Sequence, residues 1–175
     1  MKENLNIGLA ILGSHDQTDN EIIEKCCYDD NTSNCNEYGG LYQWDELMQY
    51  DTLEGVRGIC PDGWHVPSDT EWTTLVSYLG EADVAGGKLK EVDTIHWDPP
   101  NDGATNETGF TALPGVARGS YGTFSSLGQY GDFWTSSQSS GGSKSWSQNL
   151  YYDFPIAYRF NYGNTVGFSV RCIKN

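Results

Sequence analysis

Apolar positions recur at helical spacing in two stretches of the chain. Trp72, Leu75, Val76 and Leu79 follow one another at i, i+3, i+4 and i+7, which places one apolar stripe along a helix. Just upstream, Ser68 and Glu71 have the spacing of a capping box, and Asp69 adds negative charge at the positive end of the helix dipole. Gly80 stands where that helix must stop. A helix from Ser68 to Gly80 is therefore predicted. Trp44, Leu47 and Met48 repeat the i, i+3, i+4 spacing within Leu41 to Tyr50, a shorter amphipathic segment behind the Gly39-Gly40 break. A further short helical piece is read over Gly87 to Val92. Residues 13–36, with Ser14-His15-Asp16-Gln17 and Asp29-Asp30-Asn31-Thr32-Ser33-Asn34, are polar and turn-rich and read as loops.

Beyond about residue 95 the pattern changes. Gly, Ser, Thr, Asn, Tyr and Phe take over, and short apolar runs lie between glycine turns. Gly109 to Gly115, Phe133 to Ser137, Ser145 to Tyr151 and Gly167 to Ile173 are predicted strands. Helices first and an antiparallel meander afterwards make an α+β fold, two flanking helices on a curled sheet, in one domain over residues 1–175. Trp64, Trp72, Leu75, Leu113, Trp134 and Phe168 are expected to build the core.

Composition narrows the function classes. The formal net charge is −14, which argues against nucleic acid, whose binding needs a cationic face, and against an anionic membrane surface. No stretch is long or apolar enough to span a bilayer. The opening Met1-Lys2-Glu3-Asn4-Leu5-Asn6 is not a signal peptide. Two readings stand: a cytosolic protein, or an exported one whose leader lies outside these residues. The five cysteines, Cys26, Cys27, Cys35, Cys60 and Cys172, form no CxxC pair. They fit disulfides in an oxidising compartment better than a zinc site, with five buried thiols as the alternative. Two bridges would leave one thiol over, and either Cys26 or Cys27 is the natural remainder.

The central motif is Cys60-Pro61-Asp62-Gly63-Trp64-His65-Val66-Pro67-Ser68-Asp69-Thr70-Glu71-Trp72. With Glu3 to Asn6, Gly109 to Gly115, Phe133 to Ser137 and Gly167 to Cys172, all in order, it resembles the Fibrobacter succinogenes major paralogous domain family. The resemblance implies a C-type-lectin-like fold, similar also to formylglycine-generating enzymes, together with export and lipid anchoring outside this chain. It also implies disulfides Cys60–Cys172 and Cys27–Cys35, although connectivity does not follow from sequence.

Catalysis is not expected. His15 and His96 lie in loops, and His65 reads as a structural ring hydrogen-bonded to backbone. No GxSxG, HExxH or P-loop occurs. The cysteines fall at positions that look structural rather than as a reactive pair. No cofactor is expected, except that the oxygen-rich run Asp98 to Glu107 offers Asp98, Asn101 and Asp102 as calcium ligands. A solvated acidic turn is the competing reading, and the lectin Glu-Pro-Asn triplet is absent.

The segment Tyr151 to Val166 carries the strongest binding signal. Tyr and Arg give binding surfaces broad amphipathic contact at low entropic cost. Trp146, Tyr151, Asp153, Tyr158, Arg159, Tyr162 and Asn164 are the candidate contacts for a protein or glycan partner. The fold is similar to the variable proteins of diversity-generating retroelements, in which mutated Asn codons cannot yield Trp, Met, Lys, Gln or Glu. All five are missing from 151–166, although strand-and-turn sequence is poor in most of them anyway. The expected function is a cell-surface binding or adhesion module. The alternatives are a structural subunit of a surface assembly and a calcium-dependent lectin-like domain.

Overall fold

The computed structural model describes residues 1–175. The chain is α+β, with its regular elements separated by long loops. Strand β1 (Leu9–Ile11) pairs in parallel with β2 (Glu24–Cys26). A 3-10 turn over Tyr28–Asp30 follows, then helix α1 (Thr32–Tyr38). Residues 13–36, expected to be loops throughout, thus contain β2 and most of α1. Asn31 caps this helix by accepting from the Ser33 amide, and Gly39 ends it at φ 85°, a backbone conformation natural to glycine. The Cys27–Cys35 disulfide ties the helix to the turn before it.

The amphipathic segment at 41–50 shrinks to one helical turn. Strand β3 (Tyr42–Gln43) leads directly into α2 (Trp44–Leu47). Gln49 and Tyr50 then take positive φ and stop it. Its apolar pattern is nonetheless used as expected, since Trp44, Leu47 and Met48 are all sealed in the core. After β4 (Trp64–His65) comes α3 (Asp69–Tyr78), where the Ser68–Glu71 capping box forms in both directions. Helix α4 (Ala82–Leu89) lies several residues earlier than the predicted piece at 87–92. The reason is packing. Gly86 and Gly87 sit inside the helix because a Cβ there would meet the carbonyl oxygens of Ile156 and Gly103 at 2.3 and 2.2 Å. The pair marks a close approach of backbones, where a sequence reading takes it for a break.

The main sheet is three-stranded and antiparallel, in the order β5 (Tyr130–Gln138), β6 (Lys144–Tyr151), β7 (Ala157–Gly163). The predicted terminal strand divides in two. Strand β8 (Gly167–Phe168) returns to β3, and β9 (Ile173–Lys174) pairs with β4. The expected single curled sheet is therefore one three-stranded sheet plus small two-stranded pairs. The predicted strand at 109–115 reduces to a bridge between Ala112 and Lys90. The Cys60–Cys172 disulfide joins the segment before β4 to the segment before β9.

The sheet separates two cores. Phe133, Leu150 and Ala157 pack on one side against Trp72, Val76 and Leu79 of the α3 region and Ala85 and Leu89 of α4. Trp134 faces the other side, with Tyr42, Trp44, Leu47, Phe168 and Val170. Trp72, Trp134 and Phe168 are buried as expected, whereas Trp64, Leu75 and Leu113 are only half-buried. The indole N–H groups of Trp44, Trp97 and Trp134 each donate to a backbone carbonyl at 2.8 Å, which satisfies the polar end of a buried ring.

Loops of this length carry many backbone polar groups that must find partners. Three buried cations collect them. Lys90 is fully buried, and its Nζ donates to the carbonyls of Asp102 and Tyr151 at 2.8 Å and of Phe154 at 3.1 Å. Arg118 donates to the carbonyls of Gly13, His15 and Thr165 and to Asp16. Arg171 donates to Asn4 Oδ1 and to the carbonyls of Phe110 and Thr111, with its guanidinium over the Phe110 ring. Burial lowers the Lys90 pKa to about 8, so it remains an ammonium at neutral pH.

Candidate functional site

Residues 157–163 form a strand, so alternate side chains point to opposite faces. Tyr158, Phe160 and Tyr162 share one face with Asn149, Ser147 and Ser145 of β6, their register partners. Tyr151 and, through it, Tyr130 extend the row. The rings run in sequence across this face. Tyr130 meets Tyr151 at 5.1 Å between centroids, Tyr151 meets Tyr158 at 4.8 Å, and Tyr158 stacks on Phe160 at 5.7 Å. Phe160 then meets Tyr162 at 6.4 Å, and Tyr162 meets Phe168 at 5.1 Å. Phe160 is 40 % exposed and Phe154, against Tyr158, 44 %. The row therefore begins in the core at Phe168 and is most exposed at Phe160, in its middle.

A cavity of about 380 Å³ opens beside this row, lined by Tyr130, Tyr151 and Tyr162, by Phe168 and Val166, and by Ala117, Gly119 and Ser125 of a loop. Asp132 of β5 also lines it. This residue is only 7 % exposed. One of its carboxylate oxygens accepts from Asn149 Nδ2 at 2.6 Å, and no Lys, Arg or His pairs with it. Burial raises its pKa to about 6, against the pull of the Asn149 hydrogen bond. The Tyr151 and Tyr162 hydroxyls are also shifted upward, first by burial and then by the negative charge of Asp132 and, for Tyr151, the adjacent Tyr162.

The seven sequence candidates divide between locations. Tyr151, Tyr158 and Tyr162 come together on the aromatic face. Trp146 and Arg159 come together on the opposite face: the guanidinium lies 3.3 Å from the centre of the Trp146 ring and grips both oxygens of Asp69, at 2.6 and 2.8 Å. Asp153 is exposed in the turn between β6 and β7. Asn164 is buried, where it accepts from Ser145 Oγ at 2.9 Å and donates toward Asp45 and the Gly142 carbonyl. It ties the turn after β7 to β6, to α2 and to the loop between β5 and β6.

Tyr130, Asp132 and Phe160 of the aromatic face are absent from that candidate set, as are the loop and core residues that line the rest of the cavity. The period-2 row Tyr130, Asp132, Trp134 was visible in the sequence, but the predicted strand began only at Phe133. An acidic residue in a strand of aromatic and small residues was the signal.

The oxygen-rich loop is tied to residues outside it. Asn101 donates from Nδ2 to the carbonyls of Glu91 and Asp93 at 2.8 and 2.6 Å. Asp98 accepts from Gln129, and the Asp102 carbonyl accepts from Lys90. No group of three or more His, Cys, Asp and Glu side chains is arranged to hold a metal ion. The His65 ring, expected to hydrogen-bond backbone, instead lies against side chains, 3.0 Å from Glu71 of the capping box and 2.6 Å from Asn175. His96 bridges Glu91 and Glu37, at 2.7 Å each. Cys26 is the one free thiol, and it is buried.

No curated protein and no solved structure matches this chain. The Fibrobacter succinogenes major domain matches it over residues 1–174, nearly end to end, and the chain belongs to that family.

Proposed function

We propose that this chain is an exported cell-surface binding module whose ligand meets the aromatic face of β5, β6 and β7. The observation that carries the reading is the continuous row of rings from Tyr130 to Phe168, anchored in the core at Phe168 and exposed at Phe160, beside an open cavity. Aromatic side chains held rigidly by a sheet present contact area with little rotamer freedom to lose. The two disulfides support an oxidising location. The partner is a protein or a glycan.

The test is a parallel screen of a displayed peptide library and a glycan array, in calcium and in EDTA. The wild type is compared with Tyr158→Ala/Phe160→Ala, its folding checked by circular dichroism. Ligands retained by the wild type and lost by the variant support the reading. Equal retention by both overturns it, and signal only on glycans and only with calcium would favour a lectin-like domain. A second reading has its own observation. Strand β7 is the outer strand of its sheet, and an open edge invites strand addition by a neighbour. Concentration-dependent growth in sedimentation, abolished by Asn161→Pro, would favour a structural subunit of a surface assembly.

A further inference from the structure

We propose that the cavity beneath Tyr130, Tyr151 and Tyr162 receives an organic cation, an ammonium or a guanidinium, with the Asp132 carboxylate as its counter-ion. This rests on the binding role proposed above for the same face, and it names the chemistry of what enters.

The argument begins with a missing partner. A buried carboxylate is ordinarily paired with a cation or fully hydrogen-bonded. This protein places Lys90, Arg118 and Arg171 in its interior and gives each several oxygen partners. Asp132, at 7 % exposure, has none of these cations and one amide donor. Its second oxygen has no protein donor, and the residue lines the cavity.

The walls select the kind of cation. Tyrosine faces attract organic cations through the ring quadrupole, and Tyr130, Tyr151 and Tyr162 supply three such rings around one carboxylate. A hard metal ion needs six or more oxygens at short range, and a single carboxylate with aromatic neighbours does not provide them. About 380 Å³ is room for an amino-acid-sized head group. The net charge of −14 adds a field that concentrates cations near the surface.

Charge state provides a second readout. The groups facing Asp132 are Tyr130 from its own strand, Asn149 and Tyr151 from β6, Tyr162 from β7, Ala117, Gly119 and Ser125 from the loop, and Val166 and Phe168 from the β8 region. The part of any pH dependence of binding that is lost in Asp132→Asn therefore reports the Asp132 carboxylate.

The experiment is an NMR titration of the full chain, following the backbone amides of residues 130–132, 151 and 162. The probes are N-acetyl-lysinamide, N-acetyl-argininamide, tetramethylammonium and the neutral N-acetyl-norleucinamide. The expected result is saturable shifts with the cationic probes at millimolar concentration and at least tenfold weaker binding of the neutral one. Asp132→Asn should weaken the cationic probes at least tenfold, and wild-type binding should weaken as pH falls from 7.5 to 4.5. Preference for the amide probes over tetramethylammonium identifies a Lys or Arg side chain as the source, and the reverse identifies a small quaternary amine. No cationic shift up to 20 mM, equal binding of norleucinamide, or an Asp132→Asn protein that binds as well as wild type each overturns the proposal. Ligands from the peptide and glycan screens that are lost in Tyr158→Ala/Phe160→Ala but kept in Asp132→Asn would overturn the cation site while leaving the binding face in place.

Discussion

Replacing Asp132 by Asn should make the ligand-free protein more stable at neutral pH. The side chains are isosteric, and the Asn149 amide, 2.6 Å away, can still donate to the retained carbonyl oxygen. What disappears is the cost of a buried, uncompensated charge. Burial raises the carboxyl pKa from the ordinary 3.8 to about 6. The folded state therefore holds this proton more tightly than the unfolded chain does, and its favourable contribution is complete below about pH 4 and is lost as pH rises through about 6. At roughly 1.4 kcal/mol per pH unit, the separation amounts to about 3 kcal/mol at pH 7.5. The assay is urea unfolding of the wild type and Asp132→Asn at pH 4.0 and 7.5 in non-reducing buffer. A difference of about 3 kcal/mol at pH 7.5 and near zero at pH 4.0 is expected, equivalent to roughly 6–12 °C in midpoint for a chain of this size. An Asn variant that is less stable at pH 7.5, or equally shifted at both pH values, would refute the claim that this carboxylate is retained against stability.

The other predictions concern the scaffold. Lys90→Met should destabilise the fold, because it strands the three carbonyls that converge on the ammonium, each unsatisfied acceptor costing about 1–3 kcal/mol, and limited proteolysis should then cut first within residues 98–107. Breaking Cys60–Cys172 by serine substitution should cost about 5 kcal/mol and breaking Cys27–Cys35 about 2.5, since the first closes a separation of 112 residues and the second one of 8; melts of each variant check the order. Ser68→Ala, which removes one half of the capping box, should cost about 1 kcal/mol by urea unfolding and leave probe binding at the cavity unchanged.

The features legible in the sequence are those written in local spacing. Helix α3 was readable because its cap, its apolar stripe and its glycine stop lie within a dozen residues, and each acts through neighbours along the chain. The same holds for the cores of β5 and β6, whose aromatic and small residues suit a pleated surface. Family resemblance supplied both disulfides, which spacing alone left open. The candidate site was half legible. A cluster of Tyr residues between 151 and 162 was evident, but whether they share a face depends on Ala157–Gly163 being a strand. Period 2 then sends Tyr158, Phe160 and Tyr162 one way and Arg159 the other, where Asp69 neutralises it.

Tertiary structure alone decided the rest, for reasons of distance along the chain. Gly86 and Gly87 lie inside a helix because carbonyls far away in sequence press against it. Lys90, Arg118 and Arg171 are core residues in an acidic protein because loops with no ladder of their own need donors for their carbonyls, and nothing in the residues flanking these three announces that need. Asp132 is the opposite case. The predicted strand started one residue after it, and its missing cation could be seen only once every other charge in the molecule had been placed.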